Sequence, residues 1–267
     1  MPSVNTGNNK KIKSIRIFKD HATLTFYHGE QLKISKEAFV SSYLYAGKSL
    51  SSKEITKLEE ITAMSNLLQY GSSLAVKKRY SEKGMLDKLL KKENNYTAAK
   101  SVIKKLKDNG LLDDKAFMDD LIAWDNQKNL GQNKIIKHLI YKGIPQSLVS
   151  NTRFSSSLEK KKAKALLEKL EKKYDRFAYP SKKKHVFQAL VAQGFSADVA
   201  KEVAEEVKRG NDKKELVILQ KDYDKAKARY SKKYEGYQLK QKVYAFLFNK
   251  GYKYEDIKKV LDMEDFD

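Results

Sequence analysis

The sequence predicts a mainly α-helical protein, an elongated array of tandem three-helix repeats with a small β-strand region at the N-terminus. Three observations carry that expectation. Only 3 prolines and 12 glycines interrupt 267 residues, and the abundance of Lys, Glu, Leu and Ala favours helices. One stretch near the N-terminus alternates apolar and polar residues with the period of a strand. Beyond it the period becomes helical, and the signal Leu-x-x-x-Gly-apolar recurs at intervals of 51 and 57 residues, as in a helical array.

Taken in order, residues 1–10 read as a flexible arm. Residues 11–50 read as a small β-rich segment and linker. Within them, "SIRIFKDHATLTFYHGEQLKIS" (14–35) has turn signals at Lys19–Asp20 and at His28–Glu30. Period-2 alternation places Ile15, Ile17, Leu24, Phe26, Leu32 and Ile34 on one buried side. A capping box, Ser51 with Glu54, opens a long helix reaching about Tyr80. Its apolar face is marked by Ile55, Leu58, Ile61 and Leu68. Ser81 caps a second helix, and "YTAAKSVIKKLKDNG" (96–110) is a third.

The same order then repeats. Leu139 and Gly143, Leu190 and Gly194, and Leu247 and Gly251 each end a short helix. A left-handed position there favours glycine, and the next apolar residue packs back. A longer amphipathic helix precedes each copy. The first copy has "ENN" (93–95) instead, where an asparagine is expected to take the left-handed turn. The repeats are bounded at 51–113, 114–158, 159–212 and 213–267, the last carrying an acidic end, "DMEDFD". That end is expected to fold back on the basic body or to fray. A single globular bundle with coincidental glycines is the competing reading. A tetratricopeptide-like scaffold has helix pairs and a shorter period.

The formal net charge is +21. It is not a tail: residues 1–150 carry 26 Lys/Arg against 15 Asp/Glu, and residues 151–267 carry 29 against 19. An excess spread over a folded chain suits a polyanionic partner such as nucleic acid, an anionic membrane or an acidic groove. Basic clusters stand at comparable points before each Leu-containing helix. They are Lys77, Lys78 and Arg79; Lys134 and Lys137; Lys182, Lys183 and Lys184; and Lys232, Lys233, Lys240 and Lys242. Arg229 and Tyr230 join the last cluster, where Tyr234 and Tyr237 also interleave with the charges. Such tyrosines stack on bases or anchor interfaces. For any one lysine, an ordinary solvated helix face is the alternative. Trp124, the single tryptophan, is expected in the core or between repeats.

There is no cysteine, which excludes disulfides, thiolate metal sites and thiol nucleophiles. The N-terminal residues lack the apolar core of a signal peptide, and no apolar run approaches a membrane span. A cytoplasmic monomer with no membrane association is expected. The paired acids of "LKDNGLLDDKAF" (106–117) raise the question of catalysis. Asp113 and Asp114 could hold a metal or exchange protons. They could equally cap the helix that follows, with Gly110 ending the one before and Leu111 and Leu112 packing back. His21, His28, His138 and His185 are scattered, and no phosphate loop or nucleophile–histidine arrangement is present. Capping is the expected role. No catalytic residue, metal or cofactor is expected.

The block "LKDNGLLDDKAFMDDLIAW", followed by "LGQNKIIKHLIYKGI", resembles the RecX family of bacterial recombination regulators. Its motif falls on Leu106, Gly110, Leu111, Leu112, Asp113, Asp114, Phe117, Gly131, Leu139, Lys142, Gly143 and Ile144. Ser81 matches a further family segment, and the strand-like N-terminus followed by "AGKSLSSKEI" resembles the longer form found in Firmicutes. The likeness spans about residues 10 to 265. Tyr80, Gly84, Met118 and Asp125 depart from the pattern. Gly84 weakens the capping box at Ser81, and Met118 and Asp125 fall on a face expected to be exposed. The resemblance implies a regulator with no catalytic activity and no cofactor. It would bind the RecA recombinase and its single-stranded-DNA filament, lodge in the filament groove and mostly inhibit recombinase activity in repair and recombination. Weak non-specific DNA binding goes with that role. The alternative is a basic helical repeat that binds nucleic acid directly, with no recombinase partner.

Overall fold

A computed structural model describes residues 9–261. Most of the arm expected at 1–10 and the acidic end at 262–267 lie outside the described residues. The chain forms two compact units. One comprises the chain up to Met118 together with Lys142–Pro145; the other comprises Asp119–Tyr141 and the chain from Gln146 onward.

The first unit begins with a four-stranded antiparallel sheet, β1 (Lys10–Ile17), β2 (His21–Phe26), β3 (Gln31–Ser35) and β4 (Ser49–Leu50), in the order β3-β2-β1-β4. Helix α1 (Lys36–Ser41) and the start of α2 (Ser52–Lys77) cover one face. The core there is Ile12, Leu24, Phe26, Ile34, Leu50 and Leu58. Two strand expectations need correction. A bulge between Ile12 and Ser14 lets Ile12 oppose Phe26 and Ile15 oppose Leu24. The three-residue step puts Ile12 and Ile15 on the same face and breaks the period-2 pattern that would have revealed Ile12. Ile17 faces the same way, opposite Ala22, but is 60% exposed at the strand end.

Helix α2 opens with both halves of the Ser51–Glu54 capping box. It ends at Lys77 rather than near Tyr80, because Lys78 turns extended. It packs with α3 (Glu82–Lys92) and α4 (Tyr96–Asp108) around Leu67, Met85, Leu89, Val102 and Leu106. Between α3 and α4 no asparagine is left-handed. Glu93 is extended and Asn95 caps α4, accepting the Ala98 amide at 3.0 Å. A cap satisfies the helix start without any positive φ, so the glycine has nothing to replace.

Helix α5 (Asp114–Gln127) follows, then α6 (Gln132–Tyr141) and α7 (Gln146–Ser150). In the second unit, α8 (Ser156–Lys173), α9 (Tyr179–Ala192) and α10 (Ala197–Glu205) pack around Ala163, Val186, Leu190, Phe195 and Val203. Helices α11 (Asp212–Tyr230), α12 (Gly236–Asn249) and α13 (Tyr254–Leu261) pack around Tyr223, Val243, Leu247 and Ile257. Among the described residues no helix is long and apolar enough to cross a membrane.

The recurring glycines do what their spacing predicts. Gly110, Gly143, Gly194 and Gly251 all have positive φ, from 68° to 94°. After α4, Gly110 donates to the Lys107 carbonyl and Leu111 to the Leu106 carbonyl, both at 2.8 Å. This pair of bonds closes a helix with a left-handed residue. The same pair recurs at Gly194–Phe195 and Gly251–Tyr252. The apolar residues after the later glycines, Ile144, Phe195 and Tyr252, are buried.

Candidate nucleic-acid interface

The glycine turns also form joints, one in the first unit and two in the second. In each, the N-terminus of a middle helix meets the glycine turn of the next helix triplet. Ser81, which caps α3, donates its hydroxyl to the Lys142 carbonyl at 2.5 Å. Gly131, preceding α6, donates its amide to the Gln193 carbonyl at 2.9 Å. Ser181, in the first turn of α9, donates to the Lys250 carbonyl at 2.7 Å. All three acceptors immediately precede a left-handed glycine. A Cβ on Gly194 would stand 2.6 Å from Lys134 Cβ and N, and one on Gly251 2.8 Å from Pro180 Cβ. Gly131 has no positive φ, yet a Cβ there would overlap the Gly194 carbonyl carbon and the Phe195 nitrogen. It is glycine for close approach alone.

A carboxylate completes each joint. Asp114 Oδ1 accepts the Glu82 amide at 2.8 Å, Glu159 Oε2 the Gln132 amide at 2.9 Å, and Glu215 Oε2 the Tyr179 amide at 3.3 Å. Each amide belongs to the first residue of α3, α6 or α9. An acid at that point satisfies an orphan donor and meets the positive end of the helix dipole. The two aspartates thus divide their work. Asp113 caps its own helix, with Oδ1 accepting the Ala116 amide at 2.9 Å. Asp114 is buried and clamps α3. Burial pushes the Asp114 carboxyl above its ordinary range; the Glu82 amide opposes that shift. Ser81 accepts the Gly84 amide at 3.0 Å, and Asp114 supplies the acid that Gly84 cannot.

Glu159 and Glu215 had no sequence expectation. Each stands four residues after its helix's cap, Ser155 or Asn211, and that cap-plus-four spacing is the signal that would have found them. Glu159 is buried and pairs with the buried Lys162, whose ammonium also donates to Asn126 Oδ1 at 2.9 Å and the Leu130 carbonyl at 2.7 Å. In the last triplet, Tyr252 donates its hydroxyl to Asp222 at 2.8 Å. Burial, and then Asp222, push that phenol far above its ordinary range.

Three expectations about the surface change. Asp125 and Met118 are buried, not on an exposed face. Asp125 Oδ2 lies 2.7 Å from His138 Nδ1, so its departure from the family pattern is answered inside the fold. Trp124 is 50% exposed, with the Lys128 ammonium over its ring. Its ring is tilted against His138, with centroids 6.2 Å apart. Lys182 is 8% exposed and faces Asp175 at 3.6 Å and Glu171 at 3.9 Å. It is a packing residue, because α9 turns that position toward α8.

The other basic candidates face outward to differing degrees. Lys77, Lys78 and Arg79 end α2 on the surface of the first unit. In the second, Lys134 and Lys137 are exposed on α6, Lys134 bonded to Gln193 at 2.6 Å. Lys183 pairs with Glu205, and Lys184 is exposed. Arg229, Lys232, Lys233 and Lys242 are exposed around the α11–α12 turn, with Lys240 partly covered. Tyr230 and Tyr234 pack against the last core. Of the family-motif residues, Ser81, Gly110, Asp113, Asp114, Gly131 and Gly143 are used in caps and joints. Leu106, Leu112 and Leu139 are buried, and Leu111 and Phe117 are partly so. Among the described residues no group of three or more His, Asp or Glu side chains could hold a metal ion.

A family model described as "RecX, third three-helix domain" matches residues 214–261. The chain is 30% identical over 258 residues to the regulatory protein RecX of Streptococcus pyogenes serotype M4, covering 92% of this chain and 96% of that one. It is 29% identical over 257 residues to the regulatory protein RecX of Streptococcus equi subsp. equi, with the same shares covered. A crystal structure described as regulatory protein RecX shares the fold, with a TM-score of 0.63 at 22% identity over 73% of this chain and 99% of that one.

Proposed function

The chain belongs to the RecX family of regulatory proteins, a family of non-catalytic regulators, and from that premise we propose that it binds the RecA recombinase on single-stranded DNA and lowers recombinase activity. The observation that carries the reading is likeness to such regulators along nearly the whole chain. The surface supports it physically. Exposed cations recur along the chain: Lys77 and Lys78 in the first unit, and Lys137, Lys184, and Arg229 with Lys232, Lys233 and Lys242 in the second. Such a distribution suits a partner that repeats, because each further contact becomes intramolecular once the first has formed. The four repeats, 51–113, 114–158, 159–212 and 213–267, are the modules that would make those contacts. DNA is bound weakly and without sequence preference, since lysines meet phosphates and release counterions. The protein acts as a cytoplasmic monomer.

The test is RecA ATP hydrolysis on single-stranded DNA, titrated with this protein. A fall in rate, with tighter binding to the filament than to RecA or DNA alone, is the expected result. Undiminished hydrolysis, with DNA bound equally well in the presence and absence of RecA, would favour a direct nucleic-acid binder without a recombinase partner.

A further inference from the structure

One open cleft of the second unit brings tyrosines and lysines together. It lies between α12 and α13, with a volume of about 710 Å³. Tyr237, Tyr244 and Tyr254 stand on its walls, with Lys240, Lys242 and Lys258 beside them. No carboxylate lines it among the described residues. Tyr237 is 75% exposed and Tyr254 59%, although both are large enough to dominate a core. Two of the rings, Tyr244 and Tyr254, are held in place. Tyr244 stacks on Phe248 with centroids 5.9 Å apart and planes at 15°, and it meets Tyr254 edge-on at 6.1 Å. Rings already ordered lose little freedom when a ligand arrives.

From these rings and cations we infer that the α12–α13 cleft is a base-stacking site for single-stranded nucleic acid, deepening the reading of the protein as a regulator on DNA filaments. The lysines answer the phosphates and the tyrosines offer faces to unpaired bases. A duplex keeps its bases stacked on one another and can use only the lysines, so single strands are preferred. An acidic protein segment would also be drawn to the lysines, but its carboxylates make no use of three tyrosines lining the cleft.

The experiment uses the full chain and two probes: a fluorescent oligothymidylate, and heparin, a polyanion without bases. Tyr237→Ala with Tyr254→Ala is expected to weaken oligothymidylate binding by about fivefold or more per ring, leaving heparin binding and helical ellipticity unchanged. Tyr237→Phe with Tyr254→Phe keeps both rings and is expected to bind as the parent does. The proposal is overturned if the alanine variant binds oligothymidylate normally. It is equally overturned if the phenylalanine variant loses binding, if heparin binding falls in step, or if duplex binds as tightly as single strand. Loss by the alanine variant of an acidic peptide such as DMEDFD, in place of the oligonucleotide, would assign the cleft to a polypeptide and also overturn it. The parent's effect on RecA hydrolysis is read separately. Inhibition with an unaffected cleft variant refutes the cleft alone, whereas cleft-dependent binding without inhibition refutes the regulator reading alone.

Discussion

Gly110 and Gly194 occupy the same place at the ends of two helices, and comparing them separates a backbone requirement from a joint. Both have positive φ, 68° and 94°. Replacing either by alanine forces a Cβ into the left-handed region, at about 1–2 kcal/mol, slightly offset by the stiffer unfolded chain. At Gly110 nothing lies within 4 Å of the new carbon, so that cost is the whole effect. At Gly194 the new carbon stands 2.6 Å from Lys134 Cβ and backbone nitrogen, against 3.4 Å for ordinary contact. The backbone must yield by the difference of 0.8 Å. It is held by Gly131 to Gln193 and Asn133 to Gly194, each at 2.9 Å. Losing one or both bonds adds about 1–3 kcal/mol. Gly194→Ala should therefore cost about 2–5 kcal/mol and Gly110→Ala about 1–2 kcal/mol. Urea unfolding followed by helical ellipticity measures both, and amide exchange at Asn133 reports the joint directly. Equal losses in the two variants, or unchanged exchange at Asn133 in Gly194→Ala, would refute the argument that this glycine is needed for close approach.

Asp113→Ala removes a cap and should cost about 0.5–2 kcal/mol, while Asp114→Ala strands the Glu82 amide and should cost about 1–3 kcal/mol; RecA inhibition should survive both below the melting temperature. Asp114→Asn keeps an acceptor for that amide without the charge. Because the folded carboxyl titrates above its unfolded value, ionising it costs stability as pH rises through that interval, so Asn should match or exceed the parent at pH 7 in urea midpoint; a loss as large as that of Ala would contradict this. Asp175 has the opposite sign. Lys214, and then Lys182, hold it below the ordinary carboxylate range, so its contribution is present above the unfolded value and lost as pH falls through the folded one. Asp175→Asn should lower the urea midpoint at pH 7 and flatten its decline toward pH 3. DNA affinity should fall steeply with salt and show no sequence preference, which a fluorescence titration at several salt concentrations checks. Lys184→Glu with Lys232→Glu should weaken inhibition more than either alone. Lys182→Glu should instead lower the melting temperature, because it places a third carboxylate beside Glu171 and Asp175.

Much of what closes within one turn of chain was legible in the amino-acid sequence, though the cap at Asn95 was not. The Ser51–Glu54 box, the cap at Ser81, and the left-handed glycines at 110, 143, 194 and 251 each depend on residues a few positions apart. Local backbone chemistry decides them. The sheet, the helical repeats and the family likeness followed from periodicity and motif in the same way. What tertiary structure alone decided is the partner of each group. Ser81 and Lys142 are 61 residues apart, Lys134 and Gln193 59, and Ser181 and Lys250 69. No local rule says that Asp114 turns to α3 while its neighbour caps α5, or that Gly131, with no positive φ, must admit another backbone. The same holds for charge. Lys182 and Lys184 are two positions apart on one helix, roughly 200° around its axis. One therefore points toward Glu171 of α8 and Asp175 just beyond it and the other into solvent, and only the packing of α9 determines which.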